Sequence, residues 1–472
     1  MSGAKVGAPP APQELVERAL AFSRTDGCVV LAQETSGSNL RWAGNTLTTN
    51  GSTRSRSLTV IATVGTGTAA ASGAVTRSTV EDDDLESLVR AAEAAAKDSE
   101  PSEDARPLVT PDGSRPGAGW DAVPDTTSAA VFGDFAPALG EAFRAARAEG
   151  RELFGFAEHD VVTTYLGTSA GLRLRHAQPT GRVEITGKSH QRSRSTYVGR
   201  PTADFSDIDV PLLEAEIVRR LGWQEHRIEL PPGRYDTVLP PGAVADLMVY
   251  LYWSASAREA HDGRTVFSKP GGGTRVGEQL TSTPVELWSD PDHSGLRCEP
   301  EVFAAASGPA SSVFDNGLPL RRTSWIKDGT LAALLQTRAS AELTGLPVTP
   351  AIDNLLLTVP DSTGDVAELV AATTGRVLLL TCLWYIREVD PQTLLLTGLT
   401  RDGVHVVQDG EVVGTATNFR FNESPVDLLR RIDSASATTA CLPREWSDYF
   451  TRTAMPALRV GGFNMSTVSP AN

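Results

Sequence analysis

The ionisable residues nearest to a catalytic arrangement are Arg258, Glu259 and His261, at the end of a run of small and apolar residues. The run predicts one buried helix from Ala243 to Ala260, with its polar candidates confined to that end. A zinc hydrolase needs two imidazoles one helical turn apart, and a carboxylate that takes the proton from metal-bound water. No two of the seven histidines have that spacing. Side chains two residues apart, such as Glu259 and His261, point about 200 degrees away from each other on a helix.

An ordinary helix end is the other interpretation of this pair, and the one that we favour. His261 would complement the negative end of the helix dipole, and Gly263 would supply the left-handed cap that follows many helices.

Cys441 is the remaining candidate ligand. The chain has four cysteines, and none has the paired spacing of a zinc knuckle or of a secreted disulfide framework. A lone thiolate holds zinc poorly without histidines, so we interpret Cys441 as a buried structural thiol. The alternative left open is a divergent metal site built from Glu259, His261, Cys441 and ligands that the pattern does not reveal.

A glycine-rich, basic loop follows the helix, from Lys269 to Glu278. Stacked backbone amides in such a loop can bind phosphate, but this one lacks the Lys-Ser/Thr ending of a P-loop and follows a helix instead of preceding one. Gly271, Gly272 and Gly273 more plausibly let the backbone pass close to another surface. No Gly-x-Ser-x-Gly elbow indicates a serine hydrolase.

The elements that would position these residues predict an α+β fold. The first half, an α/β lobe, contains two blocks that each run helix, strand, hairpin, which suggests a weak internal duplication; the second hairpin is expected to turn at Pro179 to Gly181. The second half is predicted to be mainly β, made of antiparallel hairpins around one buried helix. The change occurs at Pro231-Pro232-Gly233. The domain prediction is therefore a disordered tail over 1–12, an α/β region over 13–230 and a β-rich domain over 231–472.

Charge and hydropathy exclude some classes of function. A net charge of −15 argues against nucleic-acid binding through phosphate contacts, which concentrates positive charge on one face. No apolar run reaches membrane-spanning length. The N-terminus shows no basic region followed by an apolar stretch, so a cytoplasmic location is the default expectation.

Several ordered segments resemble the TldD/PmbA family of modulators and metallopeptidases. The strand, turn, helix and glycine-rich loop from Tyr235 to Gly277 follow the order of that family's core. Three further segments match its C-terminal hairpins in order and spacing, namely Asp315–Leu320, Ile326–Leu331 and Val407–Val412. The resemblance covers nearly the whole chain.

The resemblance implies a non-catalytic role. In catalytic members this helix carries a His-Glu-x-x-x-His motif, whereas Tyr250, Trp253 and Ser256 occupy its middle here. Cys441 falls near the place of the family's cysteine ligand, but the histidines are missing. The chain therefore resembles the non-catalytic TldE (PmbA) branch more than the zinc-bearing TldD branch.

Such a subunit would carry no cofactor of its own. It would pair with a zinc-bearing TldD-like protein and complete a closed chamber for proteolysis of unfolded or small peptides. The residues expected at that interface are Tyr250, Trp253, Gly271, Gly272, Gly273 and Arg275. The alternatives are a divergent metallopeptidase active by itself and a stand-alone peptide-binding protein.

Overall fold

A computed structural model describes residues 10–78, 84–111, 117 and 119–469 of the chain. The predicted α+β fold is confirmed, with antiparallel sheets and a strand-rich second half. Of the predicted N-terminal tail, residues 1–9 lie outside the described residues, and a helix begins at Pro12. In the part of the chain that the structure describes, no helix is both long enough and apolar enough to cross a membrane.

The first half is built on one six-stranded antiparallel sheet with the order β3-β2-β1-β4-β5-β6. Its elements are α1 (Pro12–Phe22), β1 (Gly27–Trp42), β2 (Leu47–Val64), β3 (Ala71–Arg77), α2 (Leu85–Asp98), α3 (Phe135–Ala148), β4 (Glu152–Thr168), β5 (Arg173–Ser189), β6 (Arg194–Thr202) and α4 (Val210–Gly222). Two units of helix, three strands and helix thus lie side by side, joined where β1 pairs with β4. This arrangement confirms the repeated pattern read from the sequence.

The turn predicted at Pro179 to Gly181 is wrong. These residues lie inside β5, where Pro179 pairs with Val161 of β4. The pairing of β5 with β6 begins only at Gly181, so Pro179 lies where β5 is an edge strand and its missing N–H costs no ladder hydrogen bond. The hairpin turns instead at residues 190–193, where His190, Gln191 and Arg192 all have positive φ.

The second half contains two further sheets. Its elements are β7 (Arg227–Ile228), β8 (Gly233–Leu239), α5 (Pro241–Trp253), α6 (Ala257–His261), β9 (Glu286–Ser289), β10 (Thr323–Lys327), β11 (Thr330–Leu331), α7 (Arg338–Thr344), β12 (Leu355–Thr358), α8 (Val366–Ala371), β13 (Arg376–Leu380), β14 (Leu383–Asp390), β15 (Leu395–Thr400), β16 (Val404–Gln408), β17 (Glu411–Ala416), β18 (Phe419–Glu423), α9 (Pro425–Leu429), β19 (Ile432–Ala435), β20 (Thr439–Cys441), β21 (Thr453–Met455) and β22 (Leu458–Val468). One sheet has the order β11-β10-β9-β12-β21-β20, and the other β14-β15-β18-β22-β8-β13-β16-β17-β7, with β19 also on β22. Strand β7, which precedes residue 231, already belongs to the second-half sheet.

Helix α5 lies in the largest hydrophobic cluster, and nine of its residues are buried. The single helix predicted from Ala243 to Ala260 is wrong, because the chain leaves the helix after Trp253 and α6 begins at Ala257. The residues between them pair with Leu335: Leu335 N–H donates to Ala255 (2.8 Å), and Ala257 N–H donates to Leu335 (3.0 Å). Tertiary backbone pairing therefore overrides the helical pattern at this point.

Candidate functional site

Helix α5 is the element around which the candidate site is built. Strand β8 delivers the chain to Pro240 and Pro241, which start the helix where a missing N–H costs nothing. Because most of α5 is packed in the core, the positions of its polar and aromatic side chains are fixed. The helix ends at Trp253, whose side chain is 38% exposed.

Asp246 is the residue in α5 that the sequence interpretation missed. The polar candidates were placed only at the end of the predicted helix, and that was wrong, because Asp246 is 1% exposed in its middle. Its Oδ1 accepts a hydrogen bond from Glu445 N–H (2.9 Å), while Oδ2 has no partner among the described residues. Burial raises the pKa of this carboxyl well above its ordinary value, and the nearby Glu445 charge adds to the rise. Asp246 therefore favours its neutral, protonated form more strongly than an exposed aspartate does.

The segment that follows Cys441 is anchored on this helix. Trp446 Nε1 donates to the backbone oxygen of Asp246 (2.7 Å). Glu445 turns the other way, and its carboxylate accepts from the N–H groups of Tyr385 (2.9 Å) and Ile386 (3.0 Å) in the edge strand β14. The same three residues, 444–446, therefore connect α5 to the sheet beside it.

Arg444 lies sandwiched at the junction of the two halves. Its guanidinium stacks over Trp384 (4.2 Å) and over Tyr197 of β6 (4.7 Å). The nearest carboxylate is Asp402, with 3.9 Å between Nη2 and Oδ2. The cation is thus held mainly by aromatic faces, which attract positive charge through the ring quadrupole.

An aromatic cluster covers the end of α5. Tyr250 and Trp253 both pack against Trp446, with ring centroids 5.5 and 5.2 Å away, and Trp253 also meets Phe450 at 6.3 Å. These large rings pack together where α5 ends. The volume beside α5 is filled with hydrocarbon at this point.

Two of the three residues of the alternative metal site, Glu259 and Cys441, line different clefts. Glu259 lines a cleft of about 430 Å³ with Arg258 and Asp262, whereas Cys441 lines another of about 760 Å³. Cys441 is 5% exposed, its Sγ lies 3.3 Å from Thr453 Oγ1, and burial raises the pKa of the thiol to about 12. Among the described residues, no group of three His, Cys, Asp or Glu side chains is placed to hold a metal ion.

His261 lies at a helix end, as expected, in the last turn of α6. Asp262 follows as the cap residue, and Gly263 has φ 78°. The left-handed conformation predicted for Gly263 is confirmed.

The glycine-rich loop is closed by its own hydrogen bonds. Lys269 N–H donates to Gly273 (2.9 Å), and Gly272 N–H donates to Lys269 (3.0 Å). Gly271, Gly272 and Gly273 have φ of 89°, 110° and 86°, and a Cβ on any of them would meet nothing within 4 Å. The glycines are therefore required by the turn geometry and not by crowding within this chain. Their predicted place at an interface remains a prediction.

Sequence reasoning missed Asp246 together with Glu445 and Trp446. The signal was present in both segments: Asp246 is the one acidic residue inside an otherwise apolar run, and Arg444-Glu445-Trp446 begins three residues after Cys441. An acid inside an apolar helix predicts a buried hydrogen-bonded group, because an unsatisfied one is costly.

Two models of one protein family match the chain. The model described as PmbA/TldA metallopeptidase C-terminal domain matches residues 232–467, which is 236 of the 472 residues. The model described as PmbA/TldA metallopeptidase domain 1 matches residues 28–97. A comparison with curated proteins gives no match.

Three solved structures share the fold over nearly their whole length. TldE from Thermococcus kodakarensis has a TM-score of 0.76 at 14% identity, covering 96% of this chain and 99% of that one. A putative modulator of a DNA gyrase from Thermotoga maritima MSB8 has a TM-score of 0.76 at 16% identity, with the same coverage. A putative modulator of DNA gyrase from Bacteroides thetaiotaomicron VPI-5482 has 0.74 at 12%, covering 97% and 99%. At these identities the similarity concerns the fold.

Proposed function

The chain belongs to the TldD/PmbA family, and from this premise we propose that it is a non-catalytic, TldE-like subunit of a metallopeptidase complex. It pairs with a zinc-bearing TldD-like protein, and the two enclose a chamber in which unfolded or small peptides are hydrolysed. The metal and the general base come from the partner. This chain supplies walls and contact surface.

The aromatic cluster at the end of α5 is the observation that carries the proposal. Tyr250 and Trp253 stand on the helix that bears the metal ligands in catalytic relatives, and both pack against Trp446. Attack on a peptide bond requires a water activated by a metal or a base. Helix α5 carries one carboxylic acid, Asp246, which is buried, and burial raises the pKa of its carboxyl. The similarity of the fold to TldE from Thermococcus kodakarensis also supports the assignment.

A closed chamber explains why a subunit without ligands would keep the fold. A peptidase that has no energy-driven unfolding must keep its site away from folded proteins, and a second subunit of similar shape can wall it off. The exposed aromatic side chains beside α5 are suited to such a contact, since interfaces are enriched in Trp and Tyr. They are Trp253 (38% exposed), Tyr385 (54%) and Tyr449 (76%).

The first test is the metal content and peptidase activity of the purified chain. We expect neither stoichiometric zinc after dialysis nor hydrolysis of an unfolded peptide, and we expect activity once a TldD-like protein is added. In the reconstituted complex, replacing both Glu259 and His261 with Ala should leave the rate nearly unchanged. Zinc is measured by atomic emission, and cleavage by mass spectrometry. Stoichiometric zinc in this chain, or a loss of several orders of magnitude in the double variant with assembly intact, would instead favour a metallopeptidase active by itself.

A further inference from the structure

A cavity of about 640 Å³ lies beyond the end of α5. Its walls are mainly apolar and include five aromatic side chains, and four acidic residues line the same space, namely Glu299, Glu301, Asp315 and Asp353. The residues that define it are Trp253, Phe303, Tyr449, Phe450, Glu299 and Asp353. A volume of this order is large enough for a peptide side chain with its flanking backbone, since ligand pockets commonly measure about 300–1,000 Å³.

The charge on the cavity wall has one sign. None of the side chains that line it is a Lys, Arg or His. Asp353 is paired with Arg452 behind it, at 2.5 Å between Oδ2 and Nη1. Asp315, at the far wall, is paired in the same way with Arg338 (2.7 Å).

Glu299 differs from these paired acids. Its carboxylate makes no hydrogen bond or ion pair with any residue that the structure describes, although the side chain is half-buried in the wall. Burial raises the pKa of this carboxyl to about 7, and the nearby Asp353 charge adds to the rise. A cation in the cavity would offset both effects, because an opposite charge within a few ångströms favours the ionised form.

We propose that this cavity binds the primary ammonium group of a peptide, carried either by a lysine side chain or by a free amino terminus. The ammonium lies against Glu299, and the apolar part of the ligand lies against Trp253 and Tyr449. Lysine suits such a site because its methylene stem can lie along apolar surface while its charged head stays at a polar group. The aromatic faces add cation–π attraction to the ammonium group.

A metal ion fits the same cavity poorly. Hard divalent cations take six or more oxygen ligands. Among the described acidic residues of the cavity wall, Glu299 alone has no hydrogen bond or ion pair, so the wall offers a metal few free carboxylate oxygens. The described residues provide no group of three acidic, His or Cys side chains suited to a metal. The aromatic walls would also leave most of the coordination shell empty.

The inference rests on the proposed function only in taking a peptide as the ligand. Trp253 borders the cavity and is also part of the proposed contact surface. A peptide held there would lie at the edge of the chamber, where its amino end or a lysine could be fixed before the chain reaches the partner's zinc.

The test uses the isolated chain and four tripeptide amides, measured by isothermal titration calorimetry at pH 8 and low salt. Three are acetylated, amidated and carry Lys, norleucine or Glu at the centre; the fourth is trialanine amide with a free amino terminus. We expect the lysine peptide, the free-amino peptide or both to bind at least tenfold more tightly than the norleucine peptide. Glu299→Gln should abolish that preference, and the exposed Glu411→Gln should leave it unchanged.

The outcomes separate the two sources of ammonium and also the two proposals. Tighter binding of the lysine peptide alone assigns the cavity to side chains, and tighter binding of the free-amino peptide alone assigns it to amino termini. Equal binding of the norleucine and both ammonium peptides, or tightest binding of the glutamate peptide, overturns the inference. Co-elution of Glu299→Gln with a TldD-like protein is scored separately, so loss of ammonium binding with intact assembly would leave the proposed function standing.

Discussion

At the scale of single residues, the distinctive groups are two acids that are buried or half-buried, Asp246 and Glu299. Asp246 receives one hydrogen bond from Glu445 and leaves Oδ2 unpartnered, while Glu299 faces an aromatic cavity without any partner among the described residues. Both carboxyls have a raised pKa because burial disfavours the charged form. They differ in their contacts: Asp246 accepts a hydrogen bond within the fold, whereas Glu299 is the carboxylate that we propose binds an ammonium group.

Asp246→Asn should stabilise the protein at alkaline pH. The folded-state pKa of Asp246 lies above its unfolded value, so its contribution to stability is full below about pH 4 and declines as the pH rises. Asparagine keeps the acceptor for Glu445 N–H and has no proton to lose. The gain over wild type in free energy of unfolding should therefore grow with pH, reaching at least ~1 kcal/mol at pH 8. Urea denaturation from pH 5 to pH 9 measures it.

The control for this substitution is Asp246→Leu. Leucine removes the acceptor and leaves Glu445 N–H unsatisfied, which should cost about 1–3 kcal/mol at every pH. A gain for the Asn variant that stays constant between pH 5 and pH 9 would contradict the raised pKa.

At the scale of elements, local turn chemistry could be read from the sequence, and tertiary pairing could not. The hairpin expected within Val407–Val412 is confirmed between β16 and β17, and it turns at Asp409-Gly410, whose φ angles are 50° and 87°. The prediction of a turn at Pro179 failed because this part of β5 is an edge strand only where β6 has ended. The local sequence does not show where β6 ends. The prediction of one continuous helix through Trp253 failed for the same reason. The helix is broken by backbone pairing with Leu335, which lies far along the sequence.

For the candidate site too, local features could be predicted from the sequence and tertiary ones could not. The missing histidine pair and the aromatic residues on α5 were visible in the sequence, because both depend on residue types at a fixed spacing. The cavity at Glu299 was not, since its walls come from α5 and from the segments around Phe303, Asp353 and Tyr449. Only the fold brings these segments together.

The break between α5 and α6 gives a prediction at this scale. Ser256 is 1% exposed; its Oγ donates to the backbone oxygen of Pro309 (2.9 Å) and accepts from Glu259 N–H as the cap of α6. Ser256→Ala should lower the free energy of unfolding by about 1–3 kcal/mol, because a cap and a buried hydrogen bond are both lost. Chemical denaturation followed by circular dichroism measures the change.

Ser254→Ala is the matched control. The Ser254 hydroxyl donates to Tyr250 within the preceding turn (2.9 Å), a helical carbonyl that is also used by the Ser254 N–H. Its removal should cost less than about 0.5 kcal/mol, as for most substitutions outside buried networks. Equal losses in the two variants would show that Ser256 does not hold the break.

At the scale of the whole molecule, residues 444–452 join the first half to the second. Ser447 Oγ donates to Glu184 Oε1 of β5 (2.8 Å), and Asp448 pairs with Arg182 of the same strand (2.5 Å). Arg452 binds Thr180 on one side and Asp353 on the other. The same segment carries Trp446 and Phe450 into the aromatic cluster of α5. Residues 444–452 thus contribute both to the contacts between the halves and to the aromatic cluster beside the proposed partner surface.

The last prediction concerns assembly with a TldD-like protein, and it is tested at Trp253. A stable interface buries upward of about 1,200 Å² in total, and a few central aromatic residues carry most of its binding energy. Trp253 packs against Trp446 and Phe450, and yet 38% of its surface is exposed. In a monomer this apolar surface would stay in contact with water, which is unfavourable. Trp253→Ala should therefore weaken the complex at least tenfold. Leu212→Ala, which truncates a 63% exposed apolar side chain on α4, should leave it unchanged.

Analytical ultracentrifugation of this chain mixed with a TldD-like partner measures both variants, and circular dichroism checks that each is folded. The competing interpretation is that Trp253 and Tyr250 are core residues of a monomer, in which case Trp253→Ala would lower the free energy of unfolding and leave association unaffected. An interface contact has the opposite signature, because the partner covers surface that the folded monomer leaves in water. If wild-type chain sediments as a monomer in the partner's presence, the assembly itself is refuted, whatever the behaviour of the variants.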